Sequence, residues 1–294
     1  MAIDRDDRVD TLAKMTAAVH QHGGKIFLQL AHAGVFAEVE HSRQRPVSVS
    51  EQASERDVLT LAAIEQLVTD FTQAAQRAQR AGFDGVELHS GHGYLLSQFL
   101  SPAFNQRCDD YGGCITNRAR IHLEIIRSIR NMVGEGFPLM IKMNCDDFID
   151  NGLTTDDALS AAKLFAEAGI DAIEISGGII RTGKLSPSRP GISRAEKEAY
   201  FAAQARRFKQ VLDIPIILVG GMRSVEVAES IVRTETADYI SMSRPLICEP
   251  DLIRRWQQGD QRKARCLSDN LCFAPGFAGQ GVHCMTRNFN KLAW

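Results

Sequence analysis

No apolar run in this chain approaches the eighteen or so residues that a membrane-crossing helix needs, and the opening MAIDRDDRVD has neither the basic nor the apolar region of a signal peptide. Both absences make a cytoplasmic protein with no membrane partner the expectation. An excess of one charge is missing as well. Lys+Arg number 34 against 36 Asp+Glu, a net charge of −2 with the signs interspersed, and no basic stripe is left for nucleic acid. No low-complexity tract or linker marks a second full domain. The cysteines number seven, and an odd count in a reducing compartment favours thiols or metal ligands over disulfides.

What is present is an alternation. The chain has 294 residues, 44% hydrophobic and 24% charged, which suits one large α/β domain or two small ones. Val9, Leu12, Met15 and Val19 recur at helical spacing until Gly23-Gly24 ends the pattern. The run KIFLQLAH (25–32) then reads as a buried strand. A broad apolar face over 61–81 predicts a helix leading into the strand GVELHS. Strand-like runs follow at 138–144, 171–178, 214–221 and 237–245, separated by helical stretches near 116–133, 155–168, 194–212 and 224–233. Thr154 or Thr155 ahead of two aspartates is a good helix start.

Strand and helix in strict succession predict parallel strands with crossover helices. Polar residues at nearly every strand end favour a TIM (β/α)8-type barrel over an open sheet, because in a barrel those ends share one rim. They include Gln29, His89, Lys142, Ser176, Gly220, Gly221, Ser243 and Arg244. Only six strands are found, so a complete barrel needs one more helix and two more strands ahead of residue 1. The expected organisation is an incomplete barrel over 1–259 and a cysteine-containing extension over 260–294. An unclosed barrel exposes two strand edges, which invites pairing into a homo-oligomer.

The stretch GVELHSGHGYLLSQFLSP (85–102) places two histidines and a tyrosine within six positions. With period two along a strand, Glu87 and His89 point to one side, and the tight SGHG turn brings His92 back toward the same space. Two imidazoles can then donate to one acceptor oxygen while Tyr94 offers a phenolic proton. For an isolated His-x-x-His, a loop-closing or metal-binding role is the ordinary alternative.

Residues 81–120, AGFDGVELHSGHGYLLSQFLSPAFNQRCDDYGGCITNRAR, resemble the signature of the old yellow enzyme family, the flavin-dependent NAD(P)H:flavin oxidoreductases and ene-reductases, which include 2,4-dienoyl-CoA reductases. The resemblance extends through KIFLQLAHAG, GIDAIEISGG, IILVGGMRS and DYISMSRPLICEPDLI. It implies an FMN across the barrel mouth and NAD(P)H as reductant. Gln29 and Lys142 match groups at the pyrimidine edge of the flavin. Gly220, Gly221, Ser243 and Arg244 match the segments that hold its phosphate, where following helix N-termini favour an anion. His89 and His92 match the pair that binds the carbonyl oxygen of an enone or enoyl substrate, and Tyr94 matches the proton donor. Many members carry glycine where Ser243 stands.

Cys266, Cys272 and Cys284 resemble a Cys-x2-Cys-x3-Cys-x11-Cys iron–sulfur tail, but Asp269 stands at the second ligand position and one spacing is a residue short. The tail therefore reads as a relic or a cluster-free extension. Zinc on the three cysteines with Asp269 or His283 is a lesser alternative. A start at an internal methionine, with the protein longer upstream, is the favoured account of the missing strands; a fragment completed by a partner chain, a decayed product, and a phosphate-binding aldolase or isomerase using Lys142 are the remaining alternatives.

Overall fold

The amphipathic opening folds as its spacing dictates. A 3₁₀ turn at Asp6–Arg8 leads into helix α1 (Val9–His20), which buries Val9 and Leu12, and Gly23 ends it in the left-handed region at φ 71°. This is a computed structural model; it describes residues 2–39, 45–51, 56–180 and 182–286. Two compact units divide the chain, residues 1–180 and 181–294, and each is described by itself.

In the first unit, strand β1 (Phe27–Leu30) follows α1, and a two-residue parallel pair, β2 (Val47–Ser48) with β3 (Asp57–Val58), interrupts the long loop after it. Helix α2 (Leu61–Arg80) is capped by Thr60, whose hydroxyl accepts from the Ala63 amide at 3.1 Å. Strand β4 (Gly85–Ser90) is buried at every residue. A short helix, α3 (Leu95–Leu100), comes directly after it and was not anticipated, because its six residues are buried on all sides and show no periodicity. The helix expected at 116–133 is broken into α4 (Ile115–Arg118) and α5 (Arg120–Val133). Strand β5 (Leu139–Asn144), helix α6 (Thr155–Glu167, capped by Thr154) and strand β6 (Ala172–Ser176) complete the unit.

Strands β1, β4, β5 and β6 pair in parallel in that order. The register places Gln29 beside Glu87, His89 beside Lys142, Lys142 beside Glu174, and Asn144 beside Ser176. Paired residues share a face, so these polar side chains line one side of the sheet. Leu30, Leu88, Ile141, Met143, Ile173 and Ile175 line the other, all nearly inaccessible, under α2 and α5. Near-continuous apolar strands thus reflect one face that is apolar up to Ser90, which pairs with His122 at 2.8 Å, and one polar face that is buried at Glu87, His89 and Glu174 and opens at Lys142 and Gln29.

Gly85 marks a tight point between the strands. A methyl group there would sit 2.3 Å from the Phe27 ring and 2.6 Å from the Pro138 carbonyl oxygen. Gly85→Ala is expected to lower the unfolding free energy by roughly 1–3 kcal/mol through overpacking. Urea denaturation reads it directly, and an unchanged midpoint would contradict the packing described.

In the second unit the helix expected over 194–212 is interrupted. A 3₁₀ turn (Ala195–Lys197) and helix α7 (Ala202–Lys209) flank Ala199, which sits at φ 48°. The interruption lets the buried Glu198 carboxylate accept from the amides of Arg223 and Ser224 at 2.7 and 2.9 Å and from the Ser224 hydroxyl at 2.6 Å. Strand β7 (Ile216–Val219) pairs in parallel with β8 (Tyr239–Ser241) across helix α8 (Val225–Arg233). The strand expected to run to 245 stops at Ser241, because Pro245 opens a five-residue helix, α9 (Arg244–Cys248). Leu252, Trp256 and Ala264 form a core cluster with Val225, Met242 and Leu246 packed against it. Among the described residues no helix is long and apolar enough to cross a membrane.

Candidate active site

The turn after β4 is held in an unusual shape. His92 has φ 65°, a left-handed conformation that costs a non-glycine residue energy and persists only where its surroundings fix it. Asn144, at the end of β5, supplies that constraint. Its Oδ1 accepts from the His92 amide at 2.9 Å, while its Nδ2 donates to Asp147 Oδ1 at 2.8 Å and to the Gly178 carbonyl at 3.1 Å. Asn144→Ala is expected to cost about 1–3 kcal/mol, the penalty of leaving buried polar groups unpaired, and to loosen the His92 turn. Thermal unfolding with amide exchange at 91–94 checks both; wild-type protection would contradict the role.

The three predicted rings come together. His89 and His92 lie 5.1 Å apart between centroids at 72°, and His89 and Tyr94 lie 5.2 Å apart at 52°. Phe36 packs edge-on to Tyr94 at 5.9 Å. Burial, with the Lys142 charge second, pushes the His89 imidazole down to about 4. Burial also holds His92 well below its ordinary value, with His89 and Lys142 adding to the effect. Both rings are therefore neutral near pH 7, each carrying one N–H. His92 Nε2 lies 2.7 Å from Ser176 Oγ, a hydroxyl that accepts from or donates to that nitrogen according to the tautomer. His89 Nδ1 is buried with no hydrogen-bond partner among the described residues. Burial raises the Tyr94 phenol, which keeps its proton until something draws it off.

Beside the rings lies a charged row. Lys142 Nζ pairs with Glu174 Oε1 at 2.8 Å. Gln29 Nε2 donates to Glu87 Oε2 at 2.5 Å. Burial, followed by the Glu174 charge, pushes the Glu87 carboxyl up to about 8. Sequence reasoning placed Glu87 with His89 but missed Glu174, whose signal is a carboxylate inside the apolar run AIEIS, in register with a lysine.

Within the second unit, Gly220, Gly221, Ser243 and Arg244 border one cavity of about 60 Å³, together with Ser188 and Arg223. The glycines answer first to Tyr200: they hold φ 135° and 69°, and a methyl group on Gly221 would lie 2.8 Å from the Tyr200 ring. Arg223 and Arg244 are both buried, and among the described residues neither forms an ion pair. Arg244 Nη1 donates to the Arg189 carbonyl at 3.1 Å and to Asn270 Oδ1 at 2.6 Å, both uncharged acceptors. Arg223 donates to the carbonyls of Ile192 and Ala264, and its Nε has no partner. Two buried guanidinium groups without a counter-charge favour an anion in the cavity. The two amides just ahead of α8, those of Arg223 and Ser224, are taken by Glu198, and the two arginines bring positive charge to the cavity.

Cys266 and Cys272 are buried and Cys284 is half-buried, yet among the described residues no group of three or more His, Cys, Asp or Glu side chains is placed to hold a metal ion. Cys266 Sγ instead accepts from the Ser268 amide at 3.4 Å, and Asp269 accepts from the Leu271 amide and the Thr286 hydroxyl. Cys248, passed over in the sequence, lies beside Cys284: burial and then that contact push its thiol up to about 12. The loops expected to shape a substrate pocket, 33–60 and 179–193, fall partly outside the described residues, at 40–44, 52–55 and 181. Residues 287–294 of the cysteine tail lie outside them as well.

Residues 1–263 match the model of the NADH:flavin oxidoreductase / NADH oxidase family. The NADH oxidase of Thermoanaerobacter brockii is 35% identical over 280 residues, which are 92% of this chain and 42% of that protein. An NADPH dehydrogenase of Bacillus subtilis (strain 168) is 34% identical over 256 residues, 86% of this chain and 72% of that one. Among solved structures, a 2-naphthoyl-CoA reductase in complex with 2-naphthoyl-CoA is similar at a TM-score of 0.88 and 26% identity, covering 99% of this chain and 46% of that one. An old yellow enzyme homologue from Zymomonas mobilis is similar in fold, at a TM-score of 0.75 and 24% identity, over 97% of this chain and 79% of that one. The chain spans less than half the length of the NADH oxidase and of the 2-naphthoyl-CoA reductase.

Proposed function

The chain belongs to the NADH:flavin oxidoreductase / NADH oxidase family, and on that premise we propose that it is an FMN-dependent reductase of α,β-unsaturated carbonyl compounds, on a TIM-type (β/α) barrel fold. When bound, FMN supplies hydride transfer from NAD(P)H to the β-carbon of the substrate. The residues fit such a cofactor. Within the first unit Lys142 and Gln29 offer a cation and an amide for the pyrimidine edge, and within the second unit Arg244 and Arg223, which border one cavity, offer charge for the phosphate.

The observation that carries the reading is the clustering of His89, His92 and Tyr94 as neutral proton-bearing rings at the end of one strand. Neutral imidazoles donate to a carbonyl oxygen without surrendering a proton to it, which polarises the alkene and makes its β-carbon electrophilic. Tyr94, with its proton retained by burial, then donates to the α-carbon. Glu174 engages Lys142 as an ammonium, the wrong form for a Schiff-base nucleophile, so the aldolase alternative has little support.

The test is product analysis. Purified chain loaded with FMN and supplied anaerobically with NADH or NADPH should convert 2-cyclohexenone to cyclohexanone. Flavin that binds and is reduced, with no saturated ketone formed from any enone or enoyl thioester tried, would remove the carbonyl-alkene part of the reading.

A further inference from the structure

The polar face of the first unit holds two carboxyl groups and one lysine in a row, and the three do not share equivalent contacts. Glu174 has the lysine, at 2.8 Å. Glu87 has an amide on one oxygen only: Oε2 accepts from Gln29 at 2.5 Å, whereas Oε1 is buried and receives no donor. A buried carboxylate oxygen without a donor is costly, and a proton on it removes the cost if an acceptor is near. Glu174 shares the polar face with Glu87, one strand beyond Lys142 in the register, and its carboxylate acts on Glu87.

We propose that Glu87 is a positioning residue, a carboxylic acid that donates from Oε1 to the Glu174 carboxylate, so that Glu174 stays turned to Lys142 and Gln29 stays turned to Glu87. The trio then carries no net charge. Ionising Glu87 sets two carboxylates against one lysine and cancels the cation that Lys142 presents, so a cofactor edge that gains negative charge meets repulsion instead of attraction. What Lys142 and Gln29 serve rests on the flavin reading, whereas the shared proton is a property of the flavin-free chain. Burial and the neighbouring Glu174 charge raise the Glu87 acid to about 8, against the opposing pull of Gln29 and Lys142.

The sign of the pH effect follows. A carboxyl raised in the folded state contributes stability that is fully present below its unfolded value, 4.5, and is lost as pH rises through 8. The other titratable groups facing it within the unit are Glu174, Lys142 and His89. His89 acts oppositely and only between about 4 and 6.5, because its folded value is depressed. Between pH 6.5 and 8 the Glu87 acid should make the unfolding constant grow by up to about tenfold per pH unit, and the part of that slope lost in Glu87→Gln is its share, Asp147 being common to both proteins.

The experiment is infrared difference spectroscopy on flavin-free protein, wild type against Glu87→Gln and Glu174→Gln. Expected at pH 7 is a protonated-carboxyl band in the wild type that is missing from Glu87→Gln; Asp147, the other acid raised by burial, is common to both and cancels. The band should fade in the wild type between pH 6.5 and 9, a readout that needs no variant to fold. Glu174→Gln should lose it as well, since Glu87 then becomes the carboxylate paired with Lys142. A band absent from the wild type at pH 7, or retained in either variant, overturns the assignment. FMN affinity should weaken above pH 8 in the wild type and stay flat in Glu87→Gln. A wild type that shows the band yet binds no FMN would sink the flavin reading and leave the shared proton standing.

Discussion

Replacing Tyr94 by phenylalanine should leave reduction of the bound cofactor by NAD(P)H at its normal rate and slow reoxidation by an enone by a factor of roughly 10²–10⁴, the usual worth of a positioned general acid. The substitution keeps the ring that packs 5.2 Å from His89 and edge-on to Phe36, so the pocket wall survives and only the hydroxyl is lost. The two half-reactions separate the roles. Stopped-flow absorbance during anaerobic mixing with NADH reads the first, and mixing of the reduced protein with 2-cyclohexenone reads the second. Equal slowing of both would mean that Tyr94 shapes the site and does not donate a proton. No slowing of either would assign the proton to solvent.

Lys142→Met carries the largest expected effect on stability, a loss of roughly 3–5 kcal/mol at neutral pH, because it strands the buried Glu174 carboxylate without its cation. Lys142 is 15% exposed and Glu174 9%, so water does little to screen what is left. The loss should shrink as pH falls, since a protonated Glu174 no longer needs a cation. The double variant Lys142→Met/Glu174→Gln should recover most of it, which separates an unpaired charge from a packing defect. Chemical denaturation at pH 5 and pH 7.5 measures both. A pH-independent loss that the double variant does not repair would point to packing of the lysine stem.

Much of this site was legible in the sequence because chemistry-bearing residues cluster along the chain. GVELHSGHGY places His89, His92 and Tyr94 on one strand end and one turn, so local geometry alone assembles them. Period-two spacing likewise put Glu87 on the side of His89. The supporting residues were harder to see, because their meaning lies in register between strands. Asn144, Glu174 and Ser176 look like ordinary strand-end polar residues until β5 and β6 are aligned with β4. Breaks in regular structure were misread where a tertiary contact overrides periodicity. The helix expected at 194–212 yields to Glu198, whose carboxylate binds the amides just ahead of α8, and the strand expected to Pro245 yields to the turn that opens α9. Cysteine spacing resembled a metal-binding tail with Asp269 at one ligand position, and in the structure the Cys266 sulfur accepts from a backbone amide.

The central claim is that Lys142, Gln29 and the buried arginines serve a flavin, and the most direct measurement is the visible spectrum of the purified 294-residue chain after incubation with FMN and removal of free flavin. The account predicts a retained flavin spectrum that NAD(P)H bleaches under nitrogen and an enone restores, with retention weakened in Lys142→Met and Arg244→Met. A colourless wild-type protein, well folded by circular dichroism, would contradict it.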